Sequence, residues 1–333
     1  MPERAFDTKI QKFLKTLSIR PYINFALKRK EHAMETLTQP AVKQEWQRKD
    51  LYQEVTNKII QQLEKGTIPW HKPWGDTEIG FTIPKNFSTG NFYRGINIVL
   101  LWSSAVENEY RSDEWATFKQ WTEKKESIKK GEKGNLVVYY DTFEKEIEGE
   151  MQKLPFLKSS VVFNRCQLAS YVPEEKPIEQ EKPLVERINV VDDFVANTKA
   201  KIKTQGSKAY YKRSTDEIVM PKLTLFKNTE TCTATEGYFS TLLHELTHWT
   251  GSEKRLNRLK GKKFGDKHYA NEELVAELSA AFLCAGFGIP TLDKGDHAAY
   301  IQSWLKALKD DKRCIFTAAS GASKAVEYLY SLQ

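Results

Sequence analysis

Paired cysteines and long apolar runs are both missing from this sequence. Its four cysteines, at positions 166, 232, 284 and 314, form no CxxC pair, so a cysteine-based zinc cluster is not expected. No stretch reaches the roughly 18 apolar residues of a membrane span. The first 20 residues are charged throughout and lack the apolar core of a secretory signal. We therefore expect a cytoplasmic protein with reduced thiols and no membrane partner.

The excess of positive charge is small. The 333 residues include 51 lysines and arginines against 44 aspartates and glutamates, which gives a formal net charge of +7. Such a balance permits nucleic-acid binding, but it is also typical of a protein with a solvated basic face. Hydrophobic residues make up 40% of the chain, as in a soluble globular protein, and the length predicts about two domains.

One segment is too poor in apolar residues to pack into a core. Residues 171–184, YVPEEKPIEQEKPL, are rich in proline, glutamate and lysine, as is typical of a linker. We therefore place the domain boundary there, with an N-terminal domain over residues 46–170 and a C-terminal domain over residues 185–333. Residues 1–45 form a basic extension ahead of both.

Helical and strand patterns occur in both halves, which predicts an α+β fold class. In the N-terminal half, Asp50 caps a helix that ends before Gly66, helices follow over residues 98–106 and 112–122, and NLVVYYDTF pairs with LKSSVVFNRCQL as a hairpin. In the C-terminal half we expect a helix over residues 190–202, a hairpin within AYYKRSTDEIVMP, and then helices. The N-terminal domain is thus mixed α+β, and the C-terminal domain is mostly helical with a small sheet.

The strongest chemical pattern is TLLHELTHWTG, residues 241–251. Histidines four apart lie on one face of a helix, so His244 and His248 can bind one metal ion, and Glu245 lies beside them as a base. The apolar residues of this helix form a stripe on the other side: Phe239, Leu242, Leu243, Leu246 and Trp249. Histidines that only filled a core would lie within that stripe, so the pattern favours a zinc site.

A catalytic zinc ion needs a third protein ligand. The extended pattern HExxHxxGxxH fails, because its last position is Lys254. The segment ANEELVAELSAAFLCAGF instead carries Glu273 and Glu277 on one face of a nearly apolar helix, where buried carboxylates need partners. We assign Glu273 as the third ligand and Glu277 as the acceptor for the outer nitrogen of a ligating histidine. The exchange of these two roles stays open.

These residues predict one zinc ion per chain, or another divalent ion in its place. Zinc polarises a carbonyl and lowers the pKa of water to about 7. Glu245 would accept the proton of the attacking water and pass it to the leaving amine, so amide hydrolysis is the natural reaction.

Aromatic and basic residues are interleaved in the N-terminal half. Proteins that bind single-stranded DNA combine a basic groove with aromatic rings on which bases stack. Trp102, Trp115 and Trp121 have apolar neighbours and are expected in the core. The candidate DNA-binding residues are Trp70, Lys72, Trp74, Asn86, Tyr93, Arg94, Asn97, Lys130 and Lys133.

Several motifs in both halves resemble those of a known protein family. PKNFSTGNFYRGIN, WATFKQW and KKGEKG in the first half, and HELTHWTG and EELVAELSAAFLC in the second, resemble those of ArdC-type antirestriction proteins, which are related to plasmid TraC-type primases. The resemblance covers about residues 50–333. It implies an N-terminal domain that binds single-stranded DNA, a C-terminal zincin-like metallopeptidase domain, and protection of incoming DNA from host restriction. It places His244, Glu245 and His248 at the matching positions.

Three hypotheses follow. In the first, single-stranded DNA recruits a metallopeptidase that cleaves a protein bound there, such as a host restriction or defence protein. In the second, the protein is a non-enzymatic binder of single strands whose zinc domain is structural or docks a host defence protein. The third is a metallopeptidase with no role at DNA.

Overall fold

The structure, a computed structural model, describes residues 50–71, 82–147, 150–173, 184–229, 232–259, 267–289 and 297–333. These residues form eight α-helices and two small sheets, which confirms the α+β class. Within the described ranges, no helix is long and apolar enough to cross a membrane. The basic extension, most of the proposed linker, Lys72 and Trp74 lie outside the described residues.

The N-terminal half combines three helices with a four-stranded sheet. The helices are α1 (Leu51–Glu64), α2 (Ile96–Glu107) and α3 (Phe118–Glu123). The strands are β1 (Lys85–Asn86), β2 (Glu114–Ala116), β3 (Asn135–Ile147) and β4 (Glu150–Asn164), in the sheet order β1-β2-β4-β3. As predicted, Asp50 caps α1 by accepting a hydrogen bond from the backbone of Gln53 (3.2 Å), and β3 pairs with β4 as an antiparallel hairpin.

The prediction of one helix over residues 112–122 is wrong. Glu114–Ala116 instead forms β2, which pairs with both β1 and β4 and buries Trp115. Thr117 then starts α3 through a capping box with Gln120, so only the second part of the segment is helical.

The C-terminal half is mostly helical. Its elements are α4 (Leu184–Asn197), β5 (Lys201–Thr204), β6 (Tyr210–Lys212), β7 (Glu217–Met220), α5 (Ala234–Thr250), α6 (Lys267–Phe287), α7 (His297–Asp310) and α8 (Cys314–Tyr330). The β6–β7 hairpin was predicted. The helix expected over residues 190–202 ends earlier, because Lys199 adopts a positive φ of 59° and the chain then enters β5.

Helix α6 belongs to two hydrophobic cores. In one core, α6 packs with α1, α2, α7 and α8, and Trp102 meets Phe282 edge-on with ring centroids 5.6 Å apart. In the other, α6 packs with α4, α5 and β7. This central position explains why the sequence of α6 is apolar nearly all round. It also holds the carboxylates of α6 firmly against the neighbouring helix α5.

Candidate metal centre

Helix α5 carries the HExxH pattern and is fixed at both ends. Thr233 begins it with a capping box to Glu236. Gly251 ends it with a φ of −77°, which any residue can adopt. The glycine is needed for space instead, because an added Cβ would lie 2.9 Å from Leu259 Cγ and 3.0 Å from Arg258 Nη2. The chain after the helix can therefore fold back close to the histidines.

The two histidines of α5 turn their Nε2 atoms towards one carboxylate of α6. His244 Nε2 lies 3.7 Å from Glu273 Oε2, and His248 Nε2 lies 3.5 Å from Glu273 Oε1. Ligand atoms of the three residues all lie within 4.8 Å of one another. Two ligands of a tetrahedral zinc ion are about 3.3 Å apart when each lies about 2.0 Å from the metal. The three side chains therefore fit a small divalent ion with little movement.

The outer nitrogens of the same histidines face two further carboxylates. His244 Nδ1 lies 3.5 Å from Glu277 Oε1, an ion-pair distance that lacks the alignment of a hydrogen bond. His248 Nδ1 lies 3.3 Å from Glu272 Oε1. Arg258 in turn donates from Nη2 to that oxygen of Glu272 at 3.1 Å. Each imidazole thus has Nε2 near the shared carboxylate of Glu273 and Nδ1 near a second carboxylate that can orient the ring.

Glu272 is a member of this cluster that the sequence analysis did not single out. The sequence pattern of this helix marks Glu273 and Glu277, which lie four apart on one face, and Glu272 lies beside that face. The helix begins at Lys267, so Glu272 lies in its second turn and is buried beside His248. Its position directly before Glu273 was the available signal.

The electrostatics of the centre favour a cation. Burial alone would raise the pKa of Glu273, but a hydrogen bond with His244 and the charges of both histidines lower it to about 2. Burial likewise opposes a charge on His248, yet its bond to Glu272 and the charges of Glu273 and Glu245 raise the pKa of His248. The pKa of Glu272 is lowered by His248 and Arg258 against the effect of burial. The negative charges that stabilise a proton on His248 can stabilise a bound divalent ion in its place.

Among the described residues of the N-terminal half, His71 comes close to this centre. His71 Nε2 lies 3.7 Å from Glu277 Oε2, so Glu277 stands between His71 and His244. The neighbouring Trp70 is 0% exposed and packs edge-on against Trp304 of α7, with ring centroids 5.5 Å apart. Trp70 is therefore a core residue in this structure, which contradicts its assignment as a ring on which DNA bases stack.

The other candidate DNA-binding residues are divided between scaffold and surface. Asn97 exchanges hydrogen bonds with the backbone of Val138 (2.7 and 2.8 Å), and Asn86 accepts from the turn that follows it, so both have structural roles. Tyr93 is half-buried. Arg94 is exposed and pairs with Glu327 at 3.0 Å. Lys130 and Lys133 are exposed on the turn before β3.

Comparisons with known proteins match both halves. Residues 49–163 match the N-terminal domain of anti-restriction factor ArdC, and residues 189–321 match the zincin-like metallopeptidase family. The protein y4eC of Sinorhizobium fredii is 36% identical over 293 residues, which are 85% of this chain and 92% of that protein. The DNA primase TraC of Escherichia coli is 34% identical over 305 residues, but this chain spans only 20% of its length.

Two solved structures are similar along most of the chain. They are the antirestriction protein ArdC of plasmid R388 in a metal-free form, with 42% identity and a TM-score of 0.69, and in a Mn(II)-bound form, with 41% identity and a TM-score of 0.68. Each match covers 85% of this chain, and the matches cover 97% and 98% of those structures. The chain thus belongs to the ArdC family of antirestriction proteins and contains a zincin-like domain.

Proposed function

We propose that this protein binds single-stranded DNA through its N-terminal half and hydrolyses a peptide bond at a metal centre in its C-terminal half, and that it thereby protects incoming DNA from host restriction. One observation supports the enzymatic part above all. Nε2 atoms of His244 and His248 converge on Glu273, and Glu245 lies in the helical turn between the histidines. That set of groups is typical of hydrolytic zinc sites.

We assign the metal to His244, His248 and Glu273. Two imidazole nitrogens and one carboxylate leave a fourth position free for the reaction, which suits zinc, and the Mn(II)-bound relative supports a divalent ion. A bound divalent ion acts as a Lewis acid that polarises the scissile carbonyl and acidifies water. Glu277 and Glu272 orient the two rings from their outer nitrogens, as carboxylates commonly do behind ligating histidines.

Glu245 is the proposed catalytic base. It is buried on α5, the helix that carries both histidines, whereas Glu273 faces the histidines from α6. Its carboxylate would accept a proton from the attacking water and deliver that proton to the leaving amine. The proposed substrate is a protein gathered at single-stranded DNA, such as a host restriction or defence protein.

The substitution Glu245→Gln tests the enzymatic part, because it removes the base and leaves the proposed ligands in place. We expect this variant to bind metal and DNA normally, yet to lose protection when unmodified DNA is transferred into a restricting host. Glu253→Gln, an exposed residue just after the helix, is the matched control. Full protection by Glu245→Gln would favour the alternative, a non-enzymatic binder whose metal domain is structural or docks a host protein.

A separate measurement tests the DNA part. The affinity for a fluorescent single-stranded oligonucleotide should fall as the salt concentration rises, because phosphate contacts release counterions. A plot of log affinity against log salt concentration should be a straight line. Absence of binding at low salt would favour the third hypothesis, a metallopeptidase with no role at DNA.

A further inference from the structure

A small hydrophobic cluster around Trp121 carries an exposed aromatic ring at its edge. Trp121 is buried and donates a hydrogen bond from Nε1 to the backbone carbonyl of Phe163 (3.0 Å). The half-buried ring of Phe87 stacks on Trp121 with centroids 4.7 Å apart. Phe118, the first residue of α3, meets Phe163 edge-on at 6.5 Å and is 61% exposed. The cluster therefore fixes the position of Phe118, while most of the Phe118 side chain is exposed to water.

The basic turn KKGEKG lies against the same cluster. Gly134, at the end of the turn, is so close to β4 that an added Cβ would overlap Val161 Cγ1 and lie 3.0 Å from Phe163 Cζ. Val161 and Phe163 lie two apart on β4 and so share one side of the strand. Phe163 therefore lies beside both the turn and Phe118 and joins them into one surface. We call the surface made of Phe118, Val161, Phe163 and turn residues 129–134 the aromatic–lysine face.

Two lysines of this face are available to an anion. Lys129 donates to the carbonyl of Cys166 (3.0 Å), so its ammonium group is already used within the protein. Lys130 and Lys133 are exposed and form no ion pair with a carboxylate in the part of the chain that the structure describes. Their ammonium groups are therefore accessible to a phosphate.

We propose that single-stranded DNA docks on the aromatic–lysine face, with a base stacked on Phe118 and adjacent phosphates held by Lys130 and Lys133. This inference rests on the proposed DNA-binding function and names the surface that performs it. A single strand fits better than a duplex, because only an unpaired base can turn its flat side to a protein ring. The face thus takes the place of buried Trp70 as the stacking site.

Fluorescence anisotropy of a labelled 20-nucleotide single strand, titrated with the full chain at several salt concentrations, tests the assignment. Phe118→Ala should weaken binding about 5- to 150-fold, the range expected when one base no longer stacks, and should leave the salt slope unchanged. Phe118→Tyr should bind like the unchanged protein, because it keeps the ring. The double variant Lys130→Gln/Lys133→Gln should flatten the salt slope by about 1.4, or about 0.7 for each phosphate whose lysine is removed.

The matched control is Lys222→Gln/Leu225→Ala, which removes an exposed lysine and an exposed apolar side chain from the C-terminal half. It should change neither affinity nor slope. If the unchanged protein binds DNA and Phe118→Ala binds equally well, the face is not the docking site and the proposed function survives. If the unchanged protein does not bind, both fail. Loss of antirestriction with unchanged DNA affinity in Phe118→Ala would overturn the inference in favour of a protein partner.

Discussion

The proposed third metal ligand, Glu273, can be distinguished from the proposed orienting carboxylate, Glu277, by neutralising one of them at a time. Glu273 faces Nε2 of both α5 histidines, whereas Glu277 faces Nδ1 of His244 on one side and His71 on the other. Glu273→Gln should therefore remove a ligand, and Glu277→Gln should only loosen one ring. Loss of an orienting partner typically costs 10- to 100-fold in metal affinity, which is about 1.4–2.7 kcal/mol.

The expected loss for Glu273→Gln is larger. Structural zinc sites with four ligands bind with about 10–16 kcal/mol, so one ligand carries on the order of 3 kcal/mol, or roughly 150-fold in affinity. Competition with a chelating dye measures both variants, and Glu253→Gln again serves as the exposed control. Glu272→Gln should also cost about 10- to 100-fold in metal affinity, since Glu272 is hydrogen-bonded to the outer nitrogen of the other ring.

A spectroscopic measurement distinguishes the removal of a ligand from the weakening of one. The visible spectrum of bound Co(II) depends on the atoms that coordinate it. Glu277→Gln should keep this spectrum at saturating metal, and Glu273→Gln should change it. The reverse pattern would refute the reasoning and would exchange the roles of the two glutamates.

Three further predictions concern stability. Gly134→Ala should destabilise the fold by about 1–3 kcal/mol in urea unfolding because the new Cβ overlaps Val161, and Val161→Ala should restore part of the loss; an unchanged midpoint would show that the turn can move away. Trp304→Ala should cost about 3–5 kcal/mol, since it removes the buried ring against Trp70, and a cost below 1 kcal/mol would mean that the contact is dispensable. A hydrogen bond from Arg255 lowers the pKa of Asp216 below its usual 3.8, so this contact stabilises the protein above that pH and the stabilisation fades as the pH falls through the lowered value. Asp216→Asn should therefore lower the urea midpoint at pH 7 but have less effect near pH 3, and an equal effect at both would contradict the ionic origin.

Local pattern was sufficient for the parts of the site that lie on one helix. The spacing of His244 and His248 and the apolar stripe behind them follow from helical periodicity, and α5 contains both. The choice of the α6 segment for a further ligand also followed from periodicity, because two acidic residues on one face of an apolar helix need partners. The structure brings Glu273 to both histidines and Glu277 to one of them.

Features that depend on distant residues were not predictable in this way. Trp70 follows a proline in a short loop and looked exposed, but its partner Trp304 is more than 200 positions along the chain. Trp115 was assigned to a helix because its own neighbours favour one, whereas β1 and β4 draw it into a sheet. Phe118 had no pattern to mark it, since its exposure depends on how α3 meets β4.

The packing of α6 against elements of both halves has a consequence for a fragment that contains only one of them. Trp102 of α2 rests on Phe282 of α6, and Trp70 rests on Trp304 of α7. Without the N-terminal half, Phe282 and Trp304 would lose these ring contacts and become more exposed to water, and large exposed apolar patches favour association with other molecules. The TraC relative carries a match to 86% of this chain within a much longer protein. These aromatic contacts therefore predict that the C-terminal half expressed alone is less soluble than the full chain.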